Sequence, residues 1–123
     1  MNREQLEKFL CETYAADMDC PWIKYPNYEV FRHSNNKKWF ALIMDVSKNK
    51  LGLAGGETLD IVNFKCDPAL IGSLRVENGF FPAYHMNKGN WITVALDGTV
   101  DDEKIKFLAD MSYELTSTMK RRK

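Results

Sequence analysis

Six apolar residues follow one another from Trp39 to Met44, and they predict a β-strand over residues 38–46. The run is far shorter than the ~18 apolar residues that a membrane-spanning helix needs. A second strand pattern covers residues 28–33, and turn-forming residues occupy positions 34–37 between the two. Strand, turn and strand in this order predict a β-hairpin.

Three helices are predicted, one near each end of the chain and one between them. The first covers residues 3–17, where apolar side chains recur every three or four positions. The second begins at Asp67-Pro68, because Asp caps orphan N–H groups and Pro loses no hydrogen bond there, and it ends at Asn78-Gly79. The third opens on the acidic residues 101–103 and closes on the basic residues 120–123, which suits the helix dipole. The expected buried positions are Leu6, Phe9, Leu10, Tyr14, Leu70, Ile71, Leu74, Ile105, Leu108, Met111, Leu115 and Met119.

Two more strands complete the expected fold. They cover residues 59–64 and 91–96, and the segments 47–58 and 80–90 are predicted to be loops. The resulting order is α-β-β-β-α-β-α over one domain, residues 1–123. This order predicts an α+β fold in which a largely antiparallel sheet is backed by helices.

The overall charge argues against a strongly basic nucleic-acid-binding domain, because 17 Lys and Arg residues balance 17 Asp and Glu residues. Cys11, Cys20 and Cys66 form no CxxC pair, so neither a disulfide framework nor a zinc site is expected. The N-terminal residues lack the apolar segment of a signal peptide. We therefore expect a cytoplasmic protein, favour a monomer, and expect no cofactor, no metal and no membrane partner.

Recognisable catalytic motifs are missing from the sequence: GxSxG, HExxH, the P-loop and GxGxxG do not occur. The carboxylates at residues 101–103 are accounted for by helix capping. We therefore expect no enzyme, and an uncharacterised activity near His85 is the catalytic alternative.

A loop rich in aromatic and polar side chains, residues 80–91, is the first candidate binding site. It combines His85, Asn87 and Lys88 with several aromatic rings. Loops that gather such groups on a rigid scaffold are typical binding sites. The alternative is that His85 and Asn87 bond to the nearby backbone and shape the loop, while Trp91 packs in the core.

Basic residues around the predicted hairpin form the second candidate. Residues 32–50 contain one acid, Asp45, and five basic residues: Arg32, Lys37, Lys38, Lys48 and Lys50. A basic hairpin tip interleaved with aromatic residues can follow the phosphates of double-stranded DNA. The alternative is that lysines at hairpin tips and sheet edges prevent unwanted pairing between molecules.

The second half of the chain carries several linked motifs. They are Lys65-x-Asp67-Pro68 before a short helix with Leu74-Arg75, Pro82-Ala83-x-His85-Met86-Asn87-Lys88, Trp91-Ile92-Thr93-Val94, and Ser112-Tyr113. In combination they resemble the MmcQ/YjbR family, whose members often have basic or His residues where Gly89-Asn90 stand here. The resemblance implies a CyaY-like α+β fold and a double-wing DNA-binding module.

The resemblance also implies two groups of candidate phosphate contacts. The first group lies on the first wing and consists of Arg32, Lys37, Lys38, Lys48 and Lys50; the second group consists of Lys65, His85, Asn87 and Lys88. Trp91, Ser112 and Tyr113 match family positions and are interpreted as structural. The leading hypothesis is a small non-catalytic protein that binds double-stranded DNA. The alternative is an adaptor, or a small-ligand or protein-binding domain, that uses the loop at residues 80–91.

Overall fold

The predicted hairpin lies within a larger antiparallel sheet. The computed structural model describes residues 1–117, and its strands are β1 (Asp17–Asp19), β2 (Glu29–Arg32), β3 (Trp39–Ser47), β4 (Thr58–Lys65), β5 (Phe80–Pro82) and β6 (Trp91–Ala95). These six strands pair in the order β1-β2-β3-β4-β6-β5, and every pair is antiparallel. The helices are α1 (Arg3–Tyr14), α2 (Pro68–Leu74) and α3 (Asp102–Thr116), and a 3-10 turn covers Lys48–Leu51. The expected α+β fold with an antiparallel sheet and helices is confirmed.

The two faces of the sheet are covered differently. All three helices contribute to the core on one face, through residues such as Leu10, Ile71 and Leu108. On the opposite face, a second apolar cluster contains strand residues such as Leu42 and is covered by half-buried aromatic and methionine side chains. Among residues 1–117 no α-helical side chain belongs to this second cluster. We call this side of the sheet the loop-covered face, because loops and not helices close it.

A β-bulge decides which face Trp39 occupies. Phe31 lies opposite Ala41, but the next residue of β2, Arg32, lies opposite Trp39, so β3 has one extra residue at this point. In a regular strand Trp39 would share the helix-covered face with Ala41, because successive side chains alternate. In the structure Phe40 and Ala41 both enter the helix-covered core, and Trp39 packs on the loop-covered face.

The hydroxyl of Ser112 on α3 bridges β3 and β4 beside this bulge. Ala41 pairs with Phe64, so Phe40 and Lys65 would form the next pair of the ladder. The Ser112 Oγ instead donates a hydrogen bond to the Phe40 carbonyl at 2.5 Å and accepts one from the Lys65 N–H at 2.9 Å. The Ser112 side chain therefore satisfies the Phe40 carbonyl and the Lys65 N–H, which do not form a direct β3–β4 pair here.

The end of α3 is joined to the hairpin through a buried histidine. His33 Nε2 lies 2.7 Å from the Thr116 hydroxyl, and the His33 ring stacks on Tyr113 with centroids 4.1 Å apart. Burial lowers the pKa of His33, because the charged imidazolium would lose its hydration. The neutral ring is accordingly a structural contact between α3 and the turn after β2.

Two short strands were not predicted from the sequence. The first helix ends at Tyr14 and not at residue 17, because Ala15 adopts the left-handed conformation (φ 50°) and closes the helix with a hydrogen bond to the Cys11 carbonyl. The chain then forms β1 on the edge of β2. β5 begins inside the segment that was predicted to be a loop, and it pairs with β6.

The end of the second helix and two expected core positions differ from the prediction. The second helix ends at Leu74, four residues before the predicted Asn78-Gly79 stop. Leu70 and Leu115 are exposed although they were expected to be buried, because other residues of α2 and α3 occupy the inward positions. The expected buried position Met119 and the basic helix end at residues 120–123 lie outside the described residues.

Candidate ligand-binding pocket

An open pocket lies on the loop-covered face of the sheet. It has a volume of about 320 Å³, and its lining residues are Trp22, Tyr25, Tyr28, Trp39, Leu42, Met44, His85 and Met86. The floor is formed by β3 side chains, and the walls come from the loop before β2 and the loop after β5. We call this cavity the aromatic pocket.

The rings of the aromatic pocket combine edge-on and stacked contacts. Trp22 is nearly perpendicular to Trp39, with centroids 5.6 Å apart, and it also meets Tyr28 edge-on. Tyr25 and Tyr28 are stacked with centroids 4.7 Å apart. Perpendicular walls of this kind offer both ring faces and ring edges, which is the arrangement that aromatic groups prefer in contact with each other.

The loop before β2 presents its rings to the pocket through two successive turns. The Tyr25 N–H donates to the Trp22 carbonyl at 3.1 Å, and the Tyr28 N–H donates to the Tyr25 carbonyl at 3.0 Å. The loop is anchored at Asn27, whose carbonyl accepts from the Arg3 guanidinium at 2.7 Å. These two turns therefore bring the rings of Trp22, Tyr25 and Tyr28 together at the pocket.

Arg32 supports Trp39 from outside the pocket. Its guanidinium carbon lies 5.4 Å from the centroid of the Trp39 ring. The same guanidinium forms an ion pair with Asp19 of β1 at 3.3 Å. Because cation–π contact and ion pair act on one side chain, Arg32 has a structural role in holding the indole in place.

A second pocket of about 370 Å³ adjoins the first and shares His85 with it. Its polar lining includes Lys50 from the 3-10 turn and Lys88 from the loop after β5, and the other lining residues are Leu51, Phe81, Pro82, Ala83 and Tyr84. No acidic side chain of residues 1–117 belongs to this lining. We call this cavity the basic pocket.

His85 stands at the junction of the two pockets in an uncommon backbone conformation. Its φ is 59°, in the left-handed region that non-glycine residues seldom adopt. The preceding residue, Tyr84, is held by buried polar groups: its carbonyl accepts from Asn63 Nδ2 at 2.9 Å, and its N–H donates to Thr93 Oγ1 at 2.9 Å. A third hydrogen bond joins the Thr93 hydroxyl to the Asn63 side-chain oxygen. Side chains of the sheet therefore hold the backbone at the residue immediately before His85.

The structure does not bring the first group of candidate phosphate contacts together. Lys37 and Lys38 precede β3 and Lys48 and Lys50 follow it, and nine residues at about 3.4 Å each separate the two pairs by roughly 30 Å. Lys37 forms an ion pair with Asp17 at 2.7 Å, and Lys48 forms one with Glu57 at 3.4 Å. With the Arg32–Asp19 pair, carboxylates accompany three of the five cations.

The second group is partly assembled. His85 and Lys88 line the basic pocket together with Lys50 of the first group. Asn87 shapes the loop, because its side-chain oxygen accepts from the Gly89 N–H at 2.8 Å and its carbonyl accepts from the Trp91 N–H at 3.0 Å. Lys65 lies at the end of β4, where its N–H donates to Ser112.

Sequence reasoning missed the rings of the loop before β2. Trp22, Tyr25 and Tyr28 occur at a constant spacing of three, and this spacing was the available signal. The prolines at 21 and 26 favour an irregular segment, so the spacing does not predict a helix face. Trp39 is predicted as part of the strand over residues 38–46, but its place in the pocket is not, since the sequence does not reveal the bulge.

The described part of the chain contains neither a membrane-spanning helix nor a cluster of metal ligands. Within residues 1–117 no helix combines the length and the apolar character needed to cross a bilayer. No group of three or more His, Cys, Asp or Glu side chains in this range is arranged to hold a metal ion.

Two similar bacterial proteins match the chain over different lengths. The Bacillus subtilis protein YyaQ is 43% identical over 116 residues, which cover 94% of this chain and 98% of the relative. Escherichia coli YjbR is 39% identical over 59 residues, covering 47% of this chain and 50% of the relative.

Solved structures share the fold. A Pseudomonas syringae protein is 45% identical with a TM-score of 0.93, covering 95% of this chain and all (100%) of the other. A Deinococcus radiodurans protein, at 24% identity, has a TM-score of 0.72 and covers 99% of this chain and 83% of its own, which shows a common fold. The YjbR family model matches residues 12–115. The chain therefore belongs to the YjbR (MmcQ/YjbR) family.

Proposed function

We propose that this domain is a binding module that takes up a small molecule with a planar ring in the aromatic pocket. The observation that carries the proposal is the convergence of four aromatic side chains on an open cavity, above an apolar floor. Under this proposal the protein is a non-catalytic, monomeric protein of the cytoplasm, in line with the expectations from the sequence.

The size and lining of the pocket support a small, flat ligand. A volume of about 320 Å³ is at the lower end of ligand cavities, which suits one ring system and not an extended molecule. A planar ring can stack on one indole or phenol face while its edge meets a perpendicular ring. Trp22, Tyr28 and Trp39 are already half-buried and held by neighbours, so binding costs little side-chain entropy.

Replacing Trp39 with alanine is expected to weaken the binding of planar ligands at least about tenfold, because stacking on an aromatic side chain contributes roughly 1–3 kcal/mol. The probes are adenine, indole and quinoline, with cyclohexanol as a non-planar comparison. Binding is measured by titration with NMR detection of the backbone amides around the pocket.

The matched control is Trp91→Phe, which changes a half-buried tryptophan that does not line the pocket. This variant is expected to bind the planar probes as the wild type does. If none of the planar probes shifts the amides around the pocket, or if Trp39→Ala binds them unchanged, the proposed function is wrong.

Double-stranded DNA is the other candidate ligand. Lys38, Lys50, Lys65 and Lys88 form no ion pair within residues 1–117, which leaves these four available to phosphates. The carboxylate partners of the other three cations and the separation of the lysines along β3 weigh against one continuous phosphate-binding surface. This geometry supports the pocket more strongly than it supports duplex binding.

We accordingly expect no salt-sensitive binding to duplex DNA. If lysines contacted the phosphates, the affinity would fall steeply between about 50 and 200 mM salt. The measurement is fluorescence anisotropy with a labelled duplex, for the wild type and for the double variant Lys37→Glu/Lys38→Glu. Salt-sensitive binding that the charge reversal abolishes would restore the duplex hypothesis, because both lysines lie at the hairpin tip.

A further inference from the structure

We infer that the ligand of the aromatic pocket is of the nucleotide class: a planar base that stacks in the aromatic pocket and carries a phosphate into the basic pocket. The inference rests on the proposed function and adds the charge of the ligand to it. It joins two cavities that the loop after β5 lines in common, while their other walls come from the loop before β2 and from the 3-10 turn.

The two pockets share one lining residue. His85 lines both of them, and Tyr84, whose ring centroid lies 4.0 Å from that of His85, lines the basic pocket beside it. A molecule that stacks against the rings of the first pocket can therefore extend past the histidine into the second. The ligand needs a flat apolar part and a polar part at one end.

The charge of the basic pocket selects the polar part. Lys50 and Lys88 are exposed, line the cavity, and form no ion pair with any residue in the range 1–117. Lys48, two positions before Lys50, differs in having Glu57 as its partner. Two ammonium groups without a carboxylate partner in that range, together with a histidine, favour an anion and disfavour a cationic ligand.

The loop that carries His85 and Lys88 is shaped before any ligand binds. Asn87 accepts hydrogen bonds from Gly89 through its side chain and from Trp91 through its carbonyl, which turns the chain around Lys88. The left-handed backbone at His85 turns the preceding part of the loop. Strained backbone of this kind is concentrated at binding sites, because the surrounding structure holds it.

A phosphate fits this cavity better than a carboxylate, because it offers more acceptor oxygens and a larger charge to two lysines and a histidine at once. A planar base supplies the aromatic part, since every base has a face that stacks on indole and phenol rings. Free nucleotides and the terminal nucleotide of a single strand share this chemistry, and the experiment separates the two sources.

The test compares adenosine, adenosine 5′-monophosphate and a short single-stranded oligodeoxyadenylate. Binding is followed by tryptophan fluorescence in the Trp91→Phe background, so that Trp22 and Trp39 of the aromatic pocket report it. We expect the monophosphate to bind at least about tenfold more tightly than adenosine, because the phosphate makes charge-assisted contacts. Lys50→Met/Lys88→Met is expected to remove this difference and leave adenosine binding unchanged.

The matched control is Lys38→Met, an exposed lysine at the opposite end of β3, which is expected to keep the full preference for the monophosphate. Equal binding of adenosine and its monophosphate, or a preference that survives Lys50→Met/Lys88→Met, would overturn the inference and leave the proposed function standing. Binding of adenine, indole or quinoline without binding of adenosine or its monophosphate would also overturn the inference, and the proposed function would still stand. Binding of the oligonucleotide alone, lost in Lys50→Met/Lys88→Met, would support the inference with a nucleic-acid strand as the source.

Discussion

Replacing Ser112 with alanine is expected to lower the free energy of unfolding by about 3 kcal/mol, because the buried Phe40 carbonyl and the part-buried Lys65 N–H lose their shared partner together. The hydroxyl lies fully buried between the Phe40 carbonyl and the Lys65 N–H, at the rung where β3 and β4 do not pair directly. The measurement is urea unfolding, in which the midpoint falls and the slope stays unchanged.

The control for this substitution is Ser73→Ala on α2, where an exposed hydroxyl donates to the Leu70 carbonyl at 3.0 Å. Its loss is expected to change the free energy of unfolding by no more than about 0.5 kcal/mol, since water replaces the hydroxyl. If Ser112→Ala is as mild as Ser73→Ala, the hydroxyl does not bridge the two strands. A large loss in Ser112→Ala alone supports the bridge beside the bulge.

The strands with a strong pattern could be predicted from the sequence, and the details that build the pocket could not. The apolar run from Trp39 to Met44 predicts β3, but a run without alternation carries no information about which side chain lies on which face. The bulge at Phe40 is therefore invisible to pattern analysis, although it moves Trp39 to the loop-covered face. β1 is missed for a related reason: three exposed residues pair with β2 only because the chain folds back.

The candidate site was predicted in part. The loop at residues 80–91 does line the two pockets, and His85 and Lys88 lie where the composition of the loop indicated a binding surface. Charge counting along residues 32–50 is less informative, because the carboxylate partners of these cations lie outside that segment. Asp17 and Asp19 on β1 pair with Lys37 and Arg32, and no count confined to the hairpin includes them.

The buried polar contact behind His85 connects the stability of the sheet to the binding site. Asn63 on β4 and Thr93 on β6 are fully buried side chains at opposite positions in the β4–β6 ladder. Together they hold both backbone groups of Tyr84, at the start of the turn that presents His85 to the pockets. A change at either position should therefore act on the free energy of unfolding and on ligand affinity at once.

Replacing Asn63 with leucine is expected to lower the free energy of unfolding by about 2–4 kcal/mol, because the Tyr84 carbonyl and the Thr93 hydroxyl remain buried without their partner. Ligand affinity is expected to fall at least about tenfold in the same variant, since Tyr84 and His85 are no longer held in place. Urea unfolding gives the first quantity, and titration with adenine under conditions where the variant is folded gives the second.

The controls separate positioning from a general loss of stability. Asn78→Ala, at an exposed asparagine outside both pocket linings, is expected to leave both quantities unchanged. Thr93→Val is expected to weaken adenine binding as Asn63→Leu does, and the double variant should bind little worse than either single one, because the two side chains act on the same backbone segment. Additive losses in affinity would show that Asn63 and Thr93 act separately, and the sheet would then not position His85 through Tyr84.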